Sequence, residues 1–296
     1  MTRNRWRVSC GSHAVVLLAA AWVLLGPAST AGAGIRLTPG AFCVQGVAVG
    51  ERVDVEKLGG VVLTVENTGD TEETFKLEAG VPSRMGAKPV TGYSDIPDAS
   101  WFKLDPDTVK VPAHGSAKVR MVIKVPAGDQ YANRHWLVAV SVVPTSSAFV
   151  QVKLLARFQI ETVSKESPAK TPPGVSAAPS RVFMKRITPG LKDSGRFVVF
   201  NNGATEETLT LVPFAVPQAS EKQDIAPTPG HERLKELGWV KLSTERLTLK
   251  PGQKGEVSVS VNVPGDVKPS DLPYEVLVGI ERKDAPLEFV RVTFDN

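Results

Sequence analysis

The feature that most constrains this chain is a long internal repeat. Asn67–Thr74 reappears as Asn201–Thr208, displaced by 134 residues, and Trp101–Leu104 matches Trp239–Leu242, displaced by 138. A period of this length, present twice, indicates two copies of a whole domain and not a stack of short units.

Each copy is predicted to be built from strands. Apolar residues alternate with polar ones at Val119, Met121, Ile123 and Val125, and again at Val257, Val259, Val261 and Val263. Alternation with period two gives a strand one buried and one wet face. With Asn-Gly and Pro-Gly turns between strands, the pattern predicts an all-β fold of two tandem immunoglobulin-like β-sandwich domains.

Two local matches and one helix complete this prediction. Leu37–Gly40 resembles Ile187–Gly190, so we expect the two copies to begin at these segments. A short helix is expected over His231–Leu237, ended by Gly238. Trp101 and Trp239 occupy equivalent positions, which favours a core role for both over an exposed ligand-binding role.

Residues 1–33 have the three parts of a secretory signal peptide. Arg3, Arg5 and Arg7 form a basic start, Val15–Leu25 is apolar, and Ala31–Ala33 is a cleavage pattern. The apolar run is shorter than a membrane span requires. We therefore expect cleavage after Ala33 and a mature protein in the periplasm or outside the cell.

The mature chain is predicted to divide at a proline-rich segment. Residues 164–180 contain four prolines among small and polar residues, a composition that favours an extended spacer. The predicted domains are 34–163 and 181–296, with 164–180 as the linker.

Composition excludes several classes of function. Without residues 1–33 the chain has 32 basic and 31 acidic residues, so no broad charge favours nucleic acid or anionic membranes. Cys43 is then the one remaining cysteine, and no internal disulfide can form. Metal, hydrolase and nucleotide motifs are missing, and His114 lies in a predicted turn. We expect no enzyme activity and no cofactor or metal; a calcium loop over Asn67–Glu72 is a weaker alternative.

The segment 149–162 is the positive lead to function. Its apolar side chains share one parity and its polar side chains the other; the apolar set includes Val150, Val152, Leu154, Phe158 and Ile160. One interpretation is a strand that completes the sheet of the first domain. The alternative is an open edge that pairs with a strand of a partner protein.

Several motifs resemble a known family. Asn67–Gly69 after a strand, Trp101–Leu104, the Pro251–Gly252 turn and the Val261–Pro264 ending are similar to the Ig-like folds of the motile-sperm-protein and pilus-chaperone superfamily. Asn133–Val140 resembles the strand that precedes the pilin-binding strand of such chaperones.

The resemblance implies specific residues. Residues 150–160 would match the binding strand, and Arg36 and Lys153 are candidates, by position, for the basic pair that holds a subunit's terminal carboxylate. The chain departs from the family in that its two domains look like copies of one design.

Two functions follow as hypotheses. The first is an exported binding or structural module of the cell envelope that presents strand edges and loops to a protein or envelope partner. The alternative is a periplasmic chaperone that donates an edge strand to subunits. Neither involves nucleic acid or a membrane span.

Overall fold

Strands dominate the chain and form four sheets, which make two β-sandwiches. The computed structural model describes residues 34–146, 153–185, 188–190, 192–214, 225–266, 273–282 and 285–295. The predicted all-β fold of two tandem sandwiches is confirmed.

The first sandwich contains eleven of the strands. They are β1 (Ile35–Thr38), β2 (Ala41–Val47), β3 (Val53–Asp54), β4 (Leu63–Asn67), β5 (Glu73–Gly80), β6 (Ser94–Asp95), β7 (Phe102–Asp105), β8 (Thr108–Val111), β9 (Ser116–Ile123), β10 (His135–Pro144) and β11 (Leu154–Thr162). Helices α1 (Val55–Gly59) and α2 (Pro82–Met85) and 3-10 turns at Ala99–Trp101 and Asp129–Tyr131 lie in the connections. One sheet has the order β1-β4-β9-β3, with β7 also on β9. The other has the order β2-β11-β10-β5-β8, with β6 on β10.

The second sandwich repeats this plan. Its strands are β12 (Val175–Ala178), β13 (Arg181–Lys185), β14 (Lys192–Asn201), β15 (Glu207–Phe214), β16 (Glu232–Arg233), β17 (Val240–Leu242), β18 (Arg246–Leu249), β19 (Lys254–Asn262), β20 (Tyr274–Arg282) and β21 (Ala285–Asp295). The sheet orders are β12-β14-β19-β17 and β13-β21-β20-β15-β18, with β16 on β20. Even the short parallel pairing of β6 on β10 has its counterpart in β16 on β20.

The pairing corrects where the second copy begins. β12 and β13 occupy the places of β1 and β2, so the connection through Pro179 corresponds to the one through Pro39. The predicted match of Leu37–Gly40 with Ile187–Gly190 is therefore wrong, because Thr188–Gly190 follows β13. β12 lies inside the predicted linker 164–180. The prolines around this four-residue strand favoured the prediction of a spacer. The domain boundaries themselves stay a prediction.

The repeated Asn-Gly turn has a structural cause. The side-chain amide of buried Asn67 donates to the carbonyls of Thr71 and Val111, at 2.7 and 3.1 Å, and its oxygen accepts from the backbone N–H of Gly69. Asn201 makes the same three bonds, to Thr205, Leu249 and Gly203. One asparagine thus ties a hairpin to the next strand in each copy. Of the residues in the calcium alternative, Asn67, Gly69 and Thr71 take part in this clamp.

Each sandwich has its own apolar core. In the first, Phe75, Met121, Trp136 and Phe158 are buried between the sheets; in the second, Phe197, Val259, Val278 and Phe294 are. Trp101 and Trp239 are partly buried and pack against these cores at equivalent places. The fully buried tryptophan is Trp136, whose ring centroid lies 5.4 Å from that of Trp101.

The predicted helix over His231–Leu237 is wrong. Glu232–Arg233 instead runs parallel to β20, and a 3-10 turn occupies Leu237–Trp239. Leu234 is buried in the second core, so tertiary burial overrides the helical propensity of these residues.

Candidate functional site

β11 lies inside its sheet for most of its length. On one side it pairs antiparallel with β10 from Leu154 onward. On the other side it pairs parallel with β2, but only from Arg157 onward. The first three residues of β11 therefore have a neighbouring strand on one side alone, within the part of the chain that the structure describes.

The direction of the peptide groups shows which residues form this open edge. The N–H of Arg157 donates to the carbonyl of Gly40, just before β2, and that of Thr162 donates to Arg134, just before β10. Peptide groups alternate along a strand, so odd-numbered residues of β11 face the β2 side. The peptide groups of Lys153 and Leu155 thus point to the open edge. We call this segment, residues 153–155, the β11 edge.

The structure separates the predicted site residues. Phe158 and Ile160 are buried in the first core and are paired on both sides, so they offer neither a side chain nor an edge to a partner. Leu154 is half-buried and Lys153 is exposed at the β11 edge. Val150 and Val152 lie outside the described residues.

Arg36 is not brought to the β11 edge by strand pairing. It lies on β1 in the other sheet, and its guanidinium pairs with the Glu66 carboxylate at 3.1 Å, with its side chain 67% exposed. A shared role of Arg36 and Lys153 stays a prediction.

A buried charge cluster joins the two sandwiches. The guanidinium of Arg291, on β21, forms two hydrogen bonds with Glu161 of β11, at 2.8 and 2.5 Å. It also donates to Glu275 of β20 at 2.8 Å and to the carbonyl of Ala226 at 2.9 Å. The Arg291 and Glu275 side chains are 1% and 0% exposed. Charged groups like these are costly to bury, and the cluster is stable only while each charge has a partner of opposite sign.

Neighbouring polar groups complete the cluster. The Tyr93 hydroxyl donates to Glu161 at 2.5 Å, and the Thr228 hydroxyl donates to Glu275. The Cys43 thiol donates to Glu161 at 3.5 Å. Each carboxylate therefore accepts from a neutral donor as well as from Arg291.

Burial and charge set the pKa values in opposite directions. Burial alone raises the pKa of Glu161, but the charge and hydrogen bonds of Arg291 lower it to about 2. Burial lowers the pKa of Arg291, but Glu161 and Glu275 raise it well above its usual value. Burial, with the negative charge of Glu161, raises the pKa of the Cys43 thiol. Glu161 and Arg291 are thus both charged at neutral pH, and the Cys43 thiol is not primed as a nucleophile.

An apolar cluster lies beside these charges. Its buried residues come from both sandwiches: Val90, Tyr93, Leu137, Ile225, Leu277 and Phe289. The ring of His135 on β10 stacks on Phe289 of β21, with centroids 4.0 Å apart and an angle of 9° between the planes. Burial lowers the pKa of His135 to about 4. The sandwiches therefore share a third, smaller core.

The predicted linker is also held in place. Asn133 accepts from the backbone N–H groups of Lys165 and Ser180, at 2.8 and 2.9 Å. Asp129 accepts from the Lys165 ammonium and the Ala169 N–H, both at 2.6 Å. Two side chains of the first sandwich thus accept hydrogen bonds from three backbone N–H groups of this segment.

A cleft of about 550 Å³ opens next to the junction. Its lining includes Phe42–Gly46 of β2, Leu58 of α1 and Phe183 of β13. Gln45 crosses it: its side-chain oxygen accepts from Arg181 of β13 at 2.6 Å. The cleft thus lies between the edge strands of the two sandwiches.

Sequence reasoning missed the junction. Glu161, Glu275 and Arg291 have the polar parity of their strands, which predicts a solvent-facing position. Alternation identifies the two faces of a strand but not what covers the outer one. The available signal was a charged residue with apolar neighbours on both sides, as Arg291 has in Phe289, Val290 and Val292.

Membrane-spanning helices and metal clusters are absent from the described part of the chain. No helix there is long and apolar enough to cross a membrane. No group of three or more His, Cys, Asp or Glu side chains is arranged to hold a metal ion within these ranges.

Comparisons with known proteins give matches in structure. No family model and no curated protein matches the chain. A protein of unknown function from Porphyromonas gingivalis W83 aligns with 88% of this chain over 99% of its own length, at 13% identity and a TM-score of 0.33. The Escherichia coli chaperone DraB covers 87% with 96% of its own, at 15% identity and a TM-score of 0.30. A PapD-like domain of human CEP192 covers 54% with 100% of its own, at 14% identity and a TM-score of 0.34.

Two of these neighbours, the chaperone and the PapD-like domain, belong by name to the superfamily that the sequence resembles. TM-scores this low carry nothing about function, so the function of this chain has to be inferred from its own contacts.

Proposed function

We propose that this chain is an exported, non-enzymatic binding module that captures an extended segment of a partner protein along the β11 edge. The observation that carries the proposal is the late start of the β2 pairing at Arg157, which leaves the peptide groups of Lys153 and Leu155 without a strand on that side. Unpaired strand edges bind extended segments through main-chain hydrogen bonds. The basic, apolar and Ala-x-Ala parts of residues 1–33 support export.

A periplasmic chaperone is the second candidate. It is favoured by the fixed register of β11 on β10, where Leu154 pairs with Val142, because a preorganised strand loses little entropy when it is donated. A chaperone releases its subunit when that subunit finds a better strand, whereas a structural module keeps its partner.

The test compares Leu155→Pro with Leu155→Ala in the full exported chain. Proline removes the N–H that faces the open edge and leaves the β10 pairing, which the even-numbered residues make. Alanine truncates the same side chain and keeps the N–H. Each variant carries a carboxyl-terminal affinity tag, and partners are crosslinked in the native envelope and quantified.

We expect the proline variant to lose at least about tenfold of the crosslinked partner and the alanine variant to retain most of it. Equal recovery by the two variants, with unchanged melting temperatures, would overturn the proposal. Adding a competing subunit strand then separates the candidates: release indicates a chaperone, and retention indicates a structural module.

A further inference from the structure

The cleft between the sandwiches contains a second open edge, on β2. β2 ends its sheet, so its only partner strand within the described residues is β11. The carbonyl of Gly40 accepts from Arg157, which shows that even-numbered residues here face β11. The peptide groups of Ala41 and Cys43, which precede the irregularity between Val44 and Val47, therefore point away from β11. Residues 42–46 line the cleft, so this row of donors and acceptors borders it.

Apolar side chains flank this row. Phe183 and Leu58 are 66% and 48% exposed, and both line the cleft. They are two of the four large apolar side chains that are exposed among the described residues. Large apolar groups gathered at one place on a surface mark an interaction site, whereas scattered ones do not.

The corresponding edge of the second sandwich is capped at both ends, at Arg181 and Lys185. On β13, the Arg181 N–H donates to the Ser164 hydroxyl at 3.0 Å, and that hydroxyl also lies 3.3 Å from the Arg181 carbonyl. At the other end, the Lys185 N–H donates to the Asp193 carboxylate at 2.8 Å. No such cap covers the outward peptide groups of Ala41 or Cys43 within the described ranges.

We infer that the cleft is a strand-addition site, in which an extended polypeptide segment pairs with the outer edge of β2 and places an apolar side chain between Leu58 and Phe183. Main-chain donors and acceptors at strand spacing select a polypeptide over a small ligand, and the apolar flanks select alternate apolar side chains. The cleft volume of about 550 Å³ is that of a binding pocket for a few side chains. This site is separate from the β11 edge.

The first experiment pans a phage-displayed library of random 12-residue peptides against the full mature chain. The enriched peptide is synthesised with a fluorescent label, and its affinity is measured by anisotropy. We expect enriched peptides with apolar residues at alternate positions. Failure to enrich any such family would overturn the inference.

Variants then locate the bound peptide. Ala41→Pro removes an outward N–H and leaves the bonds to β11, and Phe183→Asp charges the flank; we expect each to weaken binding at least about tenfold. The controls Ala41→Ser and Val212→Asp should bind as the parent does, since the serine keeps the N–H and Val212 is an exposed apolar residue outside the cleft lining. Binding that survives both Ala41→Pro and Phe183→Asp contradicts the inference.

A change in the peptide keeps the test independent of protein folding. Two forms of the peptide are made, one methylated on the odd-numbered and one on the even-numbered main-chain nitrogens. Only one of these forms should lose binding, because only one set of nitrogens faces β2. Equal binding of both methylated forms contradicts strand addition. Reversible dimers of the chain that Ala41→Pro abolishes would overturn the assignment to a foreign segment and indicate a second copy.

Leu155→Pro separates this site from the proposed function. Peptide binding in the cleft should be unchanged by Leu155→Pro, and partner capture at the β11 edge should be unchanged by Phe183→Asp. Loss of cleft binding in Leu155→Pro would show a single continuous site and overturn the inference of a second one.

Discussion

At the scale of single residues, Arg291 determines whether the junction can form. Its guanidinium is hydrogen-bonded inside the protein to two carboxylates and a carbonyl. Removing it leaves Glu275 buried without its arginine and leaves Glu161 with only the Arg181 guanidinium, 3.9 Å away. A buried charge that loses its close partner costs far more than the intact pair gains.

We therefore expect Arg291→Met to lower the free energy of unfolding by about 3–5 kcal/mol. Arg196→Met is the matched control, because Arg196 pairs with Glu256 at 3.6 Å on an exposed surface. Its effect should stay within about 0.5 kcal/mol. Urea unfolding measures both, and equal effects would show that the junction adds little to stability.

His135 makes the junction sensitive to acid. Its pKa of about 4 in the folded protein lies below the value of about 6.5 in an unfolded chain, so the unfolded state binds more protons between these values. Stability must then fall as the pH drops from about 6.5 to about 4. Glu161, with a folded pKa of about 2, adds a loss of the same sign below about pH 4.5.

We expect the melting temperature to decrease from pH 7 to pH 4. The titration of His135 should lower the free energy of unfolding by about 3 kcal/mol in total over this range. His135→Phe keeps an aromatic ring against Phe289 but does not titrate, so its melting temperature should fall less between pH 6.5 and pH 5 than that of the parent. Calorimetry across this range decides the matter: parallel curves for the two proteins would contradict the assignment.

At the scale of elements, the hairpin clamp explains why the repeat is most visible at its Asn-Gly turn. Strand sequences vary as long as apolar residues alternate, whereas the turn needs one side chain with two donors and an acceptor at a fixed place. The repeat and the strand pattern were therefore sufficient to predict the sandwiches. β12 and β16 were not predictable, since strands of four and two residues have too little periodicity.

Asn67→Ala and Asn201→Ala should destabilise the protein by similar amounts, about 1–3 kcal/mol each. Each leaves two strand or turn carbonyls without their donor in a buried position. Asn262→Ala, at an exposed position on β19, is the control and should have almost no effect. Chemical denaturation of the three variants tests this, and a large difference between the first two would show that the clamps are not equivalent.

At the scale of the whole molecule, the two sandwiches form one body with three cores. The sequence predicted two domains joined by a spacer, because each copy has its own alternating strands and prolines lie between them. It could not show that the outer faces of β10, β11, β20 and β21 cover each other. The sequence placed the candidate edge on β11 and, by side-chain parity, included Phe158 and Ile160, whereas the open main chain in the structure belongs to Lys153 and Leu155. A binding role for this edge stays a prediction.

The shared core predicts a single unfolding transition for the described body. We expect one calorimetric peak for the parent and two for a variant in which Phe289→Asp and Arg291→Met are combined, because the junction is then charged and unpaired. Two peaks in the parent protein would contradict the third core.

The capped β13 and the open β2 have a consequence for valency. Two identical copies with two open edges would let each molecule join two others, and strand addition would then continue into fibres. Ser164 and Asp193 cap the second copy's edge at Arg181 and Lys185, so a segment added at β2 finds no equally open edge there on which to continue. The duplicated molecule can therefore accept a strand at one edge and end a row of added strands, because its second edge does not extend the row.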